Sequence, residues 1–199
     1  MGKHQVERRA VFLDRDGVLN RCVVRDGTPY PPSSVDEFEL YEDAAPGCRR
    51  LKENGFLLVV VTNQPDVGRG TQTRAKVDAI HEKLLSALPM LDGIEVCFHA
   101  GRAHGEPCSC RKPQPGMLLA AAAALQIDLR RSYLIGDRWR DIDSARAAGC
   151  RAIFIDRGYR EVLRGTPDAT VFEFAAAVAF ILQADPCLQR ESPLNVPSP

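Results

Sequence analysis

The chain has 199 residues, 45% hydrophobic and 26% charged, proportions that suit one soluble globular domain with a sizeable core. Its 26 basic and 26 acidic residues balance to a formal net charge of zero, which gives no electrostatic case for a nucleic-acid or membrane-surface partner. No apolar run approaches the roughly 18 residues of a membrane span, and the polar opening Met1-Gly-Lys-His-Gln-Val-Glu-Arg-Arg9 is unlike a signal peptide, so the expected location is the cytoplasm.

Residues 10–14 read as a buried strand that ends in an acid. Asp14 and Asp16 stand one residue apart, and Gly17 lets the chain turn sharply after them. Two carboxylates this close repel each other and need a cation or a proton. Segment 21–40, with Gly27, Pro29, Pro31 and Pro32, is too long for a plain turn and reads as a loop or flap over the strand edge. Residues 43–54 have helix character, with Pro46 in the first turn and Gly55 just past the end. The run 56–62 is apolar and β-branched up to Thr62, the pattern of a strand buried on both faces. A loop over 63–70 leads to a helix over 73–88, where Val77, Ile80, Leu84, Leu85 and Leu88 fall on one stripe.

A third strand over 94–98 precedes a loop rich in Cys and His, and an alanine-rich helix over 115–126 starts at a proline. Residues 132–137 form a fourth strand ending in Asp137, a helix over 141–148 stops at Gly149, and 151–156 is a fifth strand. Stretch 171–182 divides into a short strand and a helix, and the tail 186–199, rich in Pro and Ser, is expected to be disordered. Strands alternating with helices predict an α/β fold, a doubly wound, mainly parallel sheet in a single domain over residues 1–185.

In such a sheet the carboxyl ends of the strands meet at a ligand crevice. Asp14 and Asp16, Thr62 and Asp137 all stand at strand ends, and Lys112 lies just before a helix. Strand-end acids commonly cap helices or make turns, and Thr62 or Lys112 alone carries little meaning. Together they form a coherent chemical set. The hard oxygens of Asp14 and Asp137 suit Mg²⁺, while Lys112 and the Thr62 hydroxyl suit phosphoryl oxygens. A carboxylate can attack phosphorus to give an aspartyl-phosphate, and a second acid two residues on can protonate the leaving oxygen and then activate water.

Seven cysteines, at 22, 48, 97, 108, 110, 150 and 187, argue for metal binding or free thiols over a disulfide framework. Cys97-Phe-His99 and Cys108-Ser-Cys110 make a complete Cys₃His set for a structural Zn²⁺; reduced thiols beside a solvated His are the alternative. His104 in the same loop could replace a ligand. Cys22, Cys48, Cys150 and Cys187 read as ordinary buried or tail thiols. The zinc loop runs straight into Arg111 and Lys112, so its expected role is to position two cations.

The ordered set Asp14-Arg-Asp-Gly17, Val61-Thr-Asn-Gln64, Lys112 and Gly136-Asp137 resembles the haloacid dehalogenase (HAD) superfamily of Mg²⁺-dependent phosphohydrolases. That resemblance implies Asp14 as nucleophile and Asp16 as general acid/base. It also implies that Thr62 and Lys112 hold the phosphoryl group, and that Mg²⁺ binds Asp14, the Asp16 main-chain carbonyl and Asp137. Asp141 reads slightly better as a first-turn helix acid than as a supporting residue of the metal. The gaps between motifs hold no cap domain, so the chain is expected to be capless.

The run Cys-x-His…Cys-x-Cys-Arg-Lys-Pro-x-Pro-Gly-Met further resembles the heptose-bisphosphate phosphatases of that superfamily and, more loosely, the histidinol phosphatases. Arg69-Gly70 points the same way. By that analogy Asn63, Gln64, Arg111 and Arg138 contact the substrate. Pro65 and Asp66 depart from the Ser-Gly usual there; Pro65 removes a backbone donor and Asp66 adds negative charge. Phe98 stands where Pro is usual, and Arg138 where Lys is. The implied activity is removal of the 7-phosphate of a heptose 1,7-bisphosphate by a monomeric enzyme. Histidinol phosphate or another small phosphomonoester is the alternative substrate. A regulatory phospho-acceptor domain would use a similar acid cluster, but it has no need of Asp16. A nucleic-acid 3′-phosphatase is disfavoured by the zero net charge.

Overall fold

The structure, a computed structural model, describes residues 8–101, 103 and 105–184. The expected disordered tail, Cys187, His104 and the outer limits of the domain lie outside those residues. The first strand, β1 (Ala10–Leu13), is buried along its whole length. The segment expected as a flap contains a hairpin, β2 (Val23–Arg25) paired antiparallel with β3 (Thr28–Tyr30). Asp26 and Gly27 turn it with φ of 50° and 73°, the left-handed pair that a two-residue hairpin favours.

Helix α1 (Ala44–Glu53) buries Ala44, Cys48 and Leu51. It leads to β4 (Leu57–Asn63) and then to an unexpected single turn, α2 (Pro65–Gly68). Pro65 opens that turn, where a missing N–H costs nothing, which accounts for its departure from the Ser-Gly pattern. Helix α3 (Arg74–Ala87) is capped by Thr73, whose hydroxyl accepts from the Lys76 amide at 3.3 Å. Next come β5 (Gly93–Cys97), α4 (Gly116–Leu125), a 3₁₀ turn (Leu129–Arg131) and β6 (Tyr133–Gly136). Helix α5 (Trp139–Ala148) begins two residues earlier than the sequence predicts, because the Asp141 carboxylate accepts the Arg138 amide at 3.0 Å and closes the first turn. Strands β7 (Arg151–Ile155) and β8 (Ala169–Val171) and helix α6 (Phe174–Ala184) complete the chain.

Six strands form a parallel sheet in the order β5-β4-β1-β6-β7-β8, with helices on both faces. The period of two along each strand sorts the core. Val11, Leu13, Leu58, Val60, Ile135 and Ile153 face the side covered by Leu51, Ile80, Leu84 and Val178. Ala10, Phe12, Val59, Val61, Leu134 and Ala152 face the side covered by Met117, Leu118, Ile142 and Ala145. The order reverses beside β1: the chain leaves it outward to β4 and β5, then returns on its other flank to β6, β7 and β8. The first two motifs are separated by the hairpin, α1 and β4, the next two by α2, α3 and β5, and the last two by α4, a 3₁₀ turn and β6, with no inserted cap domain among the described residues. No helix among them is long and apolar enough to cross a membrane.

Candidate active site and metal centre

Strands β1 and β6 lie side by side while their outgoing connections diverge, which opens a crevice at the carboxyl edge of the sheet. Asp14 and Asp16 enter it from β1, Thr62 and Asn63 from β4, and Asp137 from β6. Arg111 and Lys112 enter from the loop before α4, and Arg138 from the start of α5. All eight line one cavity of about 290 Å³, whose outer wall is the β2–β3 hairpin with Pro29 and Tyr30. Gly17, at φ 87°, passes so close to this centre that a Cβ there would sit 1.7 Å from Asp137 Oδ2. Only glycine fits the turn, and that close approach holds the two acid-bearing loops together.

Lys112 is only 2% exposed. Its ammonium lies 2.9 Å from Asp14 Oδ1 and 2.6 Å from Asp141 Oδ1, and donates to the Val61 carbonyl at 2.7 Å. Burial alone would lower its pKa, but the two carboxylates outweigh burial and raise it. Asn63 clamps the Lys112 peptide from both sides, its Oδ1 accepting the amide and its Nδ2 donating to the carbonyl, each at 3.1 Å. Gln64 lies outside the cavity wall, and its Nε2 joins Asp16 Oδ2 (2.8 Å) to Thr62 Oγ1 (2.9 Å). Arg138 holds Glu161 through Nε and Nη2. The polar ends of Asn63, Gln64 and Arg138 are thus engaged within the protein.

Asp141 does more than the sequence suggested. It caps α5, and it is also 1% exposed and faces Lys112. Its i+4 position after Asp137 was the available signal, but first-turn acids are too common for that spacing to decide. Arg69 and Arg140 line the same cavity as Arg111. Burial lowers the Arg111 pKa, and the fields of Arg140 and Arg69 lower it further, so the cavity has a cationic wall. Asp66 pairs with Arg69 at 3.2 Å, which directs its added negative charge onto a neighbour.

Three buried carboxylates, Asp14, Asp137 and Asp141, face the single ammonium of Lys112. Burial raises the Asp14 pKa to about 6; Lys112 opposes the shift and Asp141 adds to it. Asp137 is pushed well above the usual carboxylate range by burial first, then by the charges of Asp14 and Asp141. Neither Asp137 oxygen has a hydrogen-bond partner among the described residues, and ligand oxygens of the three acids lie within 4.8 Å of one another. Hard oxygen donors with surplus negative charge fit a divalent cation of the Mg²⁺ kind.

A carboxyl whose folded pKa is raised stays protonated in the folded chain after the unfolded chain has released its proton. Asp14 therefore costs the metal-free fold stability as pH climbs from the ordinary 3.8 through about 6, and Asp137 acts in the same direction. Added Mg²⁺ is expected to raise the melting temperature more at about pH 7 than at about pH 5, since protons compete for the same oxygens. Thermal melts with and without Mg²⁺ at both pH values check this; an equal rise at both would remove the acid cluster as the binding site.

A second cluster lies in the loop after β5. His99 Nδ1 is 3.5 Å from Cys97 Sγ and 3.2 Å from Cys110 Sγ, and Cys108 Sγ is 3.7 Å from Cys97 Sγ and 3.5 Å from Cys110 Sγ. Metal–sulfur bonds of about 2.3 Å in a tetrahedron put neighbouring sulfurs about 3.8 Å apart, close to these separations. The four side chains can hold one metal ion. Gly68 packs against this loop, where a Cβ would lie 2.4 Å from the Phe98 carbonyl, so α2 is seated on the cluster. Of the thiols read as ordinary, Cys48 and Cys150 are core residues, whereas Cys22 lines the active-site cavity and its pKa is raised by burial.

Comparison with known proteins agrees with this geometry. Residues 109–173 match the HAD-hydrolase-like family model. The D-glycero-beta-D-manno-heptose-1,7-bisphosphate 7-phosphatase of Escherichia coli K12 is 41% identical over 147 residues, 70% of this chain and 74% of that protein. The D-glycero-D-manno-heptose-1,7-bisphosphate 7-phosphatase of Thermosynechococcus vestitus is 36% identical over 193 residues, 87% of this chain and 95% of that protein. A crystal structure of D,D-heptose 1,7-bisphosphate phosphatase from B. bronchiseptica, complexed with magnesium and phosphate, superposes with a TM-score of 0.74 at 32% identity, covering 88% of this chain and 98% of that one. The chain belongs to the HAD-like phosphatases and, among them, to the heptose-1,7-bisphosphate 7-phosphatase family.

Proposed function

We propose that this chain removes the 7-phosphate of D-glycero-D-manno-heptose 1,7-bisphosphate through an aspartyl-phosphate on Asp14. The observation that carries the reading is the placement of Asp14. It is a buried carboxylate at the switch point of the sheet, between Lys112 and Asp137, on the floor of a cavity walled by Arg69, Arg111 and Arg140. A sugar bisphosphate brings two phosphates, one for the floor and one for the cationic wall.

In the first step an Asp14 oxygen bonds to phosphorus as the bond from phosphorus to the sugar oxygen breaks, and Asp16 gives that oxygen its proton. In the second, Asp16 takes a proton from the water that attacks the acyl phosphate, releasing inorganic phosphate and restoring Asp14. Lys112 holds Asp14 in line and offers charge to the phosphoryl oxygens; Thr62 offers a hydrogen bond. Asp14, Asp137 and the Asp16 main-chain carbonyl would hold Mg²⁺, which when bound neutralises phosphoryl charge. The hairpin closes one side of the cavity and limits the size of the leaving group.

The test is Mg²⁺-dependent phosphate release from heptose 1,7-bisphosphate and histidinol phosphate side by side. A kcat/KM at least about 100-fold higher for the bisphosphate supports the reading, since one missing phosphate contact typically costs several kcal/mol. A preference for histidinol phosphate would discard the substrate and keep the mechanism. No turnover of any phosphomonoester would favour a phospho-acceptor domain.

Cys97, His99, Cys108 and Cys110 are proposed to hold a structural Zn²⁺ that fixes Arg111 and Lys112 against the cavity. Protein purified without chelator should carry about one zinc per chain, the stoichiometry of a closed four-ligand site. Elemental analysis should show it lost in Cys108→Ser, with KM raised as Arg111 loses its place. Zinc-free wild-type protein of full activity would end this proposal.

A further inference from the structure

Arg15 separates the two acids of the Asp-Arg-Asp run, yet its side chain turns inward and is completely buried, the bulkiest side chain so enclosed. A guanidinium keeps its charge at any working pH, so full burial requires a built set of partners. Two arms meet Asp16: Nη2 lies 2.9 Å from each carboxylate oxygen and Nε 3.1 Å from Oδ1. The third arm, Nη1, donates to His81 Nε2 at 2.9 Å. Arginine only donates, so His81 must accept through Nε2 and carry its own proton on Nδ1. The ring is therefore neutral. Burial first, and then the charge of Arg15, lower its pKa to about 4, in keeping with that state.

His81 sits on the buried stripe of α3 with Val77, Ile80 and Leu84, where packing alone would be served by another aliphatic residue. What the histidine adds is a single acceptor aimed at Arg15. Asn20 Nδ2 at 3.0 Å and Gln64 Nε2 at 2.8 Å also donate to Asp16. We infer that Arg15 and His81 are positioning residues for the reaction: His81 fixes the plane of the guanidinium, and the guanidinium fixes the Asp16 carboxylate at the angle from which it serves the leaving oxygen. The inference rests on the acid–base role given to Asp16 above. A carboxylate that is free to rotate loses the alignment that proton transfer needs.

His81→Leu removes the acceptor at similar volume, while His81→Gln returns one, because its amide oxygen reaches near the place of Nε2. With heptose 1,7-bisphosphate, His81→Leu is expected to lower kcat by about 10- to 100-fold with little change in KM, the range expected for a misplaced reacting group. His81→Gln should recover most of the loss, and Arg15→Lys, which keeps charge without the fork, should fall with His81→Leu. The nitrophenolate of p-nitrophenyl phosphate departs without needing a proton, so its single-turnover release should keep the wild-type rate in His81→Leu. Unchanged kcat in His81→Leu, equal losses in His81→Leu and His81→Gln, or an equal loss in nitrophenolate release overturns the inference. Should His81→Leu fail to fold, Arg15→Lys read on both substrates decides alone. Asp16→Asn separates the two layers: an inactive Asp16→Asn beside a fully active His81→Leu overturns the positioning role only, whereas an active Asp16→Asn overturns the acid–base reading itself.

Discussion

Asp14→Asn is expected to lower kcat/KM for phosphate release by at least about 1,000-fold while leaving the protein folded, because it removes the proposed nucleophile. The fold should tolerate the change for a specific reason. Asp14 is one of three buried carboxylates around one ammonium, and burial already raises its pKa to about 6. An amide of the same shape relieves that crowding. The side-chain oxygen of the substituted residue can still accept the Arg15 backbone amide, a bond of 2.8 Å in the native chain, and Lys112 keeps its contact with Asp141. Phosphate release and a thermal melt of the same preparation check both halves. Residual activity of more than a few per cent would remove Asp14 as nucleophile, since losing a covalent route costs orders of magnitude.

Lys112→Met should destabilise the metal-free protein by about 3–5 kcal/mol near neutral pH, the usual cost of removing one partner from a buried ion pair. Methionine fills much of the same space, so the loss is electrostatic. Asp14, Asp137 and Asp141 are left facing one another without the ammonium that joined them. In its absence the folded pKa values of Asp14 and Asp137 rise further, so the destabilisation grows as pH passes above the unfolded range and shrinks toward about pH 5, where protons replace the lost charge. Turnover should fall as well, because Lys112 pairs with Asp14 and is proposed to offer charge to the phosphoryl oxygens. Denaturant titrations at two pH values, with and without Mg²⁺, measure the effect. A loss under about 1 kcal/mol would mean that the acid cluster is not held together by Lys112, given what buried pairs typically cost.

The elements were legible wherever local pattern decides them. A continuous apolar run such as 57–61, ending in three valines, has no good alternative to a buried strand, and the stripe of α3 permits only one buried face. The hairpin in segment 21–40 was missed although Asp26-Gly27 is a hairpin turn pair. Its strands are three residues long and alternate little, and its identity rests on the Asp26-Gly27 turn and on packing over the crevice. The early start of α5 was missed because its cap is a backbone amide reaching an acid three residues ahead, behind Trp139 and Arg140.

Within the site, Asp14, Asp16, Thr62, Lys112 and Asp137 could be named from sequence because each stands where a strand ends or a helix begins. A parallel sheet brings those positions to one edge whatever the remaining details. The Cys and His set could be named because chelating pairs one residue apart are seldom accidental. Covalent spacing and periodicity thus determined the class of fold and which polar groups meet at its edge. Only the tertiary structure decided what the other polar residues do. Arg15 could have pointed to solvent; it turns inward, where Asp16 and, 66 residues away, His81 meet its guanidinium. Arg138 could have stood unpaired in the cavity; its guanidinium is held by Glu161, 23 residues on. Asp141 could have been a plain cap; it closes an ion pair with Lys112. Each of these outcomes depends on which donor meets which acceptor across packed elements, and such pairings follow from the rotation and separation of whole helices and strands, which no local pattern records.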